Sequence, residues 1–319
     1  MRTIRHHVDL RASEEPDAPY LIAPETGAIM TYGELQRASR ELGRFLLMQG
    51  LDKGDKVALM LHNSYQSARL LIGVMYGGFT VAPLNLLSQR SQLEYVIDHS
   101  DAALVFTSDE LVPRVHEALG AVQRHITVIV IDPDSTRIFD EQGLSPNDRS
   151  RAPSADCDLP LVTEEDDSLL MYTSGTTGKP KGVLHTHRSV VAGGEYTSAA
   201  HCLRREDRVM CALPLYHING QIVTGVAPLV HGGSVAMPHR FSVSDYWRHV
   251  VEHRCTWINV VPTIIAYLLN APDPRDSGLD ISHVKFCRSA SAPLAPDLHR
   301  AFERKFGISV IETFGMTET

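Results

Sequence analysis

Residues 173–181 hold the densest run of groups able to bind phosphate: Thr173-Ser174-Gly175-Thr176-Thr177-Gly178-Lys179, then Pro180 and Lys181. The two glycines permit backbone shapes and close approaches that a Cβ would block. Successive amide N–H groups can then form an anion-binding nest. Four hydroxyls, on Thr173, Ser174, Thr176 and Thr177, can donate to phosphate oxygens, and Lys179 and Lys181 bring charge. Charge-assisted hydrogen bonds contribute roughly 1.5–3 kcal/mol each, so the loop can hold a triphosphate. It is not a Walker A loop: two residues rather than four separate the glycines, and Pro180 follows Lys179 in place of Ser or Thr. Pro180 has no N–H and disfavours helix for the residue before it. The loop therefore joins two strands, Leu169–Tyr172 leading in and Gly182–His185 leading out, and caps no helix. A plain polar hairpin is the alternative reading. It accounts for a Gly/Thr/Ser turn but poorly for the whole string between two apolar strands.

Three further segments carry candidate chemistry. Leu213-Pro214-Leu215-Tyr216-His217 ends in an imidazole. Arg288-Ser289-Ala290-Ser291-Ala292-Pro293-Leu294 is built mostly of small residues. Glu312-Thr313-Phe314-Gly315-Met316-Thr317-Glu318 combines a flat ring, which can pack on a flat base, with a carboxylate of the hard kind that Mg²⁺ prefers beside water and phosphate. Alone, a single histidine or a Thr-Glu pair is unremarkable. His185 and His187 alternate on a strand and share a face, but two ligands do not make a zinc site.

In this order, the four segments resemble the signature motifs of the adenylate-forming (AMP-binding) superfamily, acyl-CoA synthetase type. The resemblance runs over nearly all 319 residues. It implies ATP-dependent activation of a carboxylic acid as its acyl-adenylate, followed by thioester formation with CoA. The co-substrates would be ATP and CoA, with Mg²⁺. Thr173, Ser174, Gly175, Thr176, Thr177, Gly178, Lys179 and Lys181 would cradle the β- and γ-phosphates. Ser291, Ala292, Pro293, Glu312, Thr313 and Phe314 would surround the adenine, Thr317 would meet the AMP phosphate, and Glu318 would ligate Mg²⁺. His217, Asn219, Ser289, Gly315 and Met316 would border the acyl group. His217, Thr317 and Glu318 are the catalytic candidates. Two positions depart from the pattern: Phe314 replaces the usual Tyr, and Ala290 stands where glycine is common. Asn219 and Gln221 suit either a short polar acid or helix-cap and surface roles.

The resemblance also implies more chain. The sequence reaches Thr319, one residue past the expected Mg²⁺ ligand. Related enzymes continue into a small mobile domain whose lysine stabilises the adenylation transition state. The expectation is an incomplete large domain that turns over poorly. An adenylation domain loading a carrier protein and a non-catalytic nucleotide-binding remnant are the alternatives.

The elements that must position these groups read as α/β. Thr31 with Glu34 forms a capping-box pattern before a helix with apolar residues at helical spacing, stopped near Gly50. Lys56–Leu61 reads as a strand and Ser64–Tyr76 as a buried helix, broken by Gly77-Gly78 before a strand at Phe79–Ala82. Ile222–Val230, Gly232-Gly233 and Ser234–Met237 repeat that grammar. The prediction is two lobes of mostly parallel β-sheet flanked by helices, the layered αβαβα large domain. The approximate lobes are 1–50 with 205–319, and 51–204, with a surface excursion at 132–167. The apolar share is 43%, and Lys plus Arg at 30 against Asp plus Glu at 38 gives a net charge of −8. That balance argues against a nucleic-acid partner. Five cysteines without C-x-x-C spacing, no signal-peptide pattern and no run of ~20 apolar residues point to a cytoplasmic protein without a membrane span. The sequence does not specify an oligomeric state.

Overall fold

A computed structural model describes residues 2–137, 158–173 and 179–318. The elements of the first third are α1 (Ile4–Glu14), β1 (Pro19–Ala23), β2 (Ala28–Thr31), α2 (Tyr32–Met48), β3 (Lys56–Met60), α3 (Tyr65–Gly77), β4 (Thr80–Pro83), α4 (Arg90–His99), β5 (Ala102–Thr107) and α5 (Val112–Leu119). β6 (Thr127–Val130), β7 (Asp167–Thr173), β8 (Lys181–Thr186), α6 (His187–Ala200) and β9 (Arg208–Cys211) follow. A π-helical segment (Asn219–Val226) then leads into α7 (Ala227–His231), β10 (Ser234–Ala236), α8 (Tyr246–Glu252), β11 (Trp257–Val260), α9 (Pro262–Asn270), β12 (Phe286–Ser289), α10 (Pro296–Phe306) and β13 (Val310–Glu312).

Two sheets result. The first runs β13-β12-β11-β9-β10-β1-β2 and the second β6-β5-β3-β4-β7-β8. Every neighbouring pair is parallel except β1–β2 and β7–β8. The two strands that repeat the same grammar, β4 and β10, lie in different sheets. The cores are not separate, however. α3 packs on β1 of the first sheet and on β3 and β4 of the second, and a single apolar cluster runs from one sheet to the other.

Sequence explains that central position. All 13 residues of α3 are buried; from Leu70 to Tyr76 it is apolar on every side and must be covered on every side, while Gln66 and Arg69 nearer its start donate to the Ser135 and Thr136 carbonyls. Ser64 caps its start and accepts from the Ser67 N–H, and Gly78 ends it at φ 91°, a left-handed turn that glycine enters without Cβ strain. α2 crosses α3 closely at Gly43 and Gly77: a Cβ on Gly43 would lie 3.1 Å from the Gly77 Cα. Thr31 and Glu34 form the capping box that the sequence predicts. α4 and α5 cover the outer face of the second sheet with a smaller cluster. No helix among the described residues is long and apolar enough to cross a membrane.

Candidate active site

β7 and β8 form the antiparallel arms around the candidate phosphate loop, with Thr173 opposite Lys181 and Tyr172 opposite Gly182. Ser174, Gly175, Thr176, Thr177 and Gly178 lie outside the described residues. At the loop's exit, Lys179 sits over the Tyr95 ring, 5.7 Å from its centroid. Lys181 is exposed.

The Leu213–His217 turn is fixed from the opposite sheet's side. Asn63, just before α3, donates through Nδ2 to the Leu213 carbonyl at 2.8 Å, and its Oδ1 accepts from the Leu215 N–H at 2.9 Å. Gln221 donates to the Leu215 carbonyl and is buried. It thus anchors the turn from within and is neither a surface residue nor part of the large cavity's lining. Gly220 is required by proximity, since a Cβ there would lie 2.7 Å from the Pro214 carbonyl oxygen. The turn then passes into the π-helical segment, an uncommon helix form concentrated at functional sites. Burial lowers the His217 imidazole below its usual range, so it is neutral at pH 7. The ring lines a small cavity with Tyr172, Thr173, Pro180 and Tyr216, which places it beside the entry to the phosphate loop.

A second, larger cavity has a volume of about 370 Å³. One wall is the turn after β12, with Arg288, Ala290 and Ser291; the facing wall is Phe314, Gly315, Met316, Thr317 and Glu318. Val190, Gly193 and Tyr196 of α6, with Asn219, Ile222 and Val223, supply the remaining sides. Phe314 is 90% exposed, an open ring face on which a planar base could stack. His185 Nε2 lies 2.7 Å from the Thr317 carbonyl oxygen and donates to it, tying the 313–318 segment to β8. Burial is the main cause lowering the His185 pKa, with the Thr317 carbonyl and Glu318 acting in the opposite sense.

Other expected residues sit around this cavity in different ways. Ser289 is fully buried, its hydroxyl is unpartnered, and it does not line the cavity. Alternation along β12 turns Ser289 away and brings Arg288 in. Thr313 continues the sheet, its N–H donating to the Ser289 carbonyl at 2.9 Å, with its hydroxyl enclosed. Glu312 accepts from the Leu294 N–H at 2.8 Å and so braces the 290–294 turn. Ala292 and Pro293 are exposed on that turn. Ser291 has φ 73°, the left-handed region where glycine is favoured, and its Oγ accepts from Asn219 Nδ2 at 3.2 Å. His187 does not join His185: it is buried, and its Nδ1 accepts from the Ile4 N–H at 3.3 Å. The three potential ligands that do converge among the described residues, His249, Glu252 and His253, are outside the cavity lining.

Sequence reasoning passed over Arg288 and Asn259 as site residues. Arg288 Nη1 donates to Asn219 Oδ1 at 2.8 Å and to Asn259 Oδ1 at 2.9 Å. The available signal was a charged residue inside Phe286–Ser289, a run whose position among parallel strands predicts apolar residues.

Two mixed, mostly parallel sheets flanked by helices, with a cavity between the small-residue and aromatic-Gly-x-Thr-Glu segments, are the architecture of an adenylate-forming large domain. The model of the AMP-binding enzyme family matches residues 8–319, and the chain belongs to that family. Among curated relatives, a sulfoacetate–CoA ligase of Cupriavidus necator is 49% identical over 317 residues, covering 99% of this chain and 60% of that protein. An oxalate–CoA ligase of Arabidopsis thaliana is 31% identical over 285 residues, covering 88% and 54%. The chain thus spans a little over half the length of these relatives. Among solved structures, the inhibitor-bound N-terminal domain of FACL13 from Mycobacterium tuberculosis superposes with a TM-score of 0.85 at 25% identity, covering all of this chain and 77% of that one. The anthranilate CoA ligase AuaEII in complex with anthranoyl-AMP gives a TM-score of 0.87 at 22% identity, covering 99% and 59%, a likeness of fold.

Proposed function

We propose that this chain supplies the nucleotide and acid sites of an ATP-dependent acid–thiol ligase. A carboxylate oxygen of the acid attacks the α-phosphorus of ATP, the bond to the bridging oxygen breaks, and pyrophosphate leaves. The CoA thiol, giving up its proton, then attacks the acyl carbon and AMP departs. The observation that carries this reading is the cavity walled by Arg288–Ser291 on one side and Phe314–Glu318 on the other, opening beside the β7–β8 arms.

In this scheme the Phe314 ring takes the adenine, and the Thr317 hydroxyl meets the α-phosphate. Thr173, Lys179 and Lys181, with the loop between them, hold the phosphates that leave. The Glu318 carboxylate edges the cavity and is exposed. It suits Mg²⁺, which takes one or two carboxylates together with water and phosphate oxygens; bound there, the ion would offset charge on the departing pyrophosphate. Neutral His217, between the phosphate-loop entry and the π-helical segment in the chain, orients the reacting carboxylate. Positioning and electrostatics account for such a step with little covalent work by the protein. The CoA ligases among the relatives support CoA over a carrier protein as the acceptor.

The test is calorimetric titration of the 319-residue chain with AMP and with non-hydrolysable acylsulfamoyl adenosines of short acids. The mimic of the correct acyl-adenylate should bind at least about tenfold more tightly than AMP, a gain of about 1.4 kcal/mol. Folded protein that binds neither AMP nor any mimic overturns the reading.

A further inference from the structure

The larger cavity holds one Lys or Arg side chain among its lining residues, Arg288. Its surroundings are built with care. β12 and β11 pair in register with Arg288 opposite Asn259. Asn259 Nδ2 donates to Asn219 Oδ1 at 3.1 Å, Asn219 Nδ2 donates to Ser291 Oγ, and both amide oxygens accept from Arg288 Nη1. Every amide orientation is therefore set by its neighbour. Three elements meet at this point: β11, β12 and the first residue of the π-helical segment.

All of these partners are neutral. No carboxylate pairs with Arg288 among the described residues, and its Nε is enclosed without a partner. Burial alone lowers the guanidinium to about 10, so it is cationic at neutral pH. An enclosed cation without a counter-charge is costly to keep, and a guanidinium presents a planar fork suited to an oxyanion. One nitrogen is held by the amides. The rest of the fork is left for a ligand in the cavity.

The two ends of the cavity differ accordingly. Phe314, Met316 and Glu318 are exposed and form the nucleotide side, where the carboxylate under activation must sit. Arg288, on β12, is half-buried, and the apolar side chains of Val190, Ile222 and Val223 line the same cavity. A monocarboxylic acid with an apolar tail would leave Arg288 buried and unpaired.

We propose that Arg288, braced by Asn219 and Asn259, is an anion subsite that selects short acids carrying a second oxyanion, sulfonate or carboxylate, at the end away from the reacting carboxylate. This rests on the cavity being the acyl site. The sulfoacetate and oxalate ligases among the relatives act on acids of this kind.

The experiment compares acylsulfamoyl adenosines on the 319-residue chain, wild type, Arg288→Lys and Arg288→Met. The acyl groups are sulfoacetyl, malonyl and the uncharged isostere methylsulfonylacetyl, with AMP as a reference ligand. Wild type should bind the better of the two anionic mimics about 10- to 100-fold more tightly than the neutral one, as one or two charge-assisted hydrogen bonds dictate. The better of the two identifies the oxyanion. Arg288→Met should abolish that preference, bringing the anionic mimics to within about twofold of the neutral one; Arg288→Lys should restore part of it. Equal affinity of wild type for anionic and neutral mimics overturns the subsite while leaving the acyl-adenylate reading intact. Equal loss of AMP and all mimics in both variants makes Arg288 a structural residue and also overturns it. Failure of wild type to bind even AMP overturns the site reading and the subsite together.

Discussion

Asn63→Ala should loosen the site without touching a ligand. The Asn63 side chain is 4% exposed and supplies both a donor and an acceptor to the Leu213–His217 turn. Removing it strands a buried carbonyl and a buried N–H, each costing about 1–3 kcal/mol when left unpaired. The small cavity beside Asn63, Leu213 and Tyr216 lets water reach part of the gap, so the total should be about 2–4 kcal/mol. For a chain of this size about 2 °C of melting temperature accompanies each kcal/mol, which gives a fall of about 4–8 °C. Because the same turn carries His217 and leads to Asn219, affinity for an acyl-adenylate mimic should fall more than affinity for AMP. Scanning calorimetry and titration of the variant read both effects. A melting temperature within about 1 °C of wild type, with unchanged mimic affinity, would refute the reasoning that these two hydrogen bonds hold the turn.

Ser291 and His187 carry the other predictions. Ser291→Gly relieves a left-handed backbone costing about 1 kcal/mol, and Ser291→Ala keeps it; both lose the bond from Asn219. Glycine should therefore be more stable than alanine by about 1 kcal/mol in urea unfolding, and equal midpoints would count against the strained geometry. Burial pushes the His187 imidazole down from its ordinary 6.5 to about 4. Between those values the unfolded chain takes up a proton that the folded chain refuses. Stability from this group is thus complete above pH 6.5 and is lost as pH falls toward 4, by up to about 1.4 kcal/mol per pH unit. His187→Gln should flatten the stability–pH slope by that amount, and an unchanged slope would show that His187 is not held neutral.

The two-sheet α/β architecture was legible because it depends on local signals. The apolar run of α3, closed at Gly77-Gly78, and the capping box of Thr31 and Glu34 are such signals, and each forces a consequence. What escaped was tertiary. Arg288 reads as one polar residue in a small-residue stretch until β11 sets Asn259 beside it in register. Ser289 looks as suited to an acyl pocket as its neighbour, and strand alternation alone decides which of the two faces inward. Gln221 admits pocket and surface readings in the sequence; a third outcome, an internal tie to the Leu215 carbonyl, requires the turn to fold back on the π-helical segment. His217 precedes Asn219 of the larger cavity by two residues, yet the turn delivers its ring to the compartment beside Thr173.

The shared core has a consequence for synthesis. β1 emerges among the first elements, but its parallel partner is β10, and Tyr20 of β1 donates to the Gly225 carbonyl across 205 residues. At about 5–20 residues per second, β1 waits roughly 10–40 s on the ribosome for that partner. The second sheet, whose strands run from β3 to β8, can assemble meanwhile. α1, α2 and α3 then present a bare apolar surface until the far strands arrive. The nascent protein should be most dependent on chaperone cover in this interval, and the order of assembly should run from the second sheet to the first.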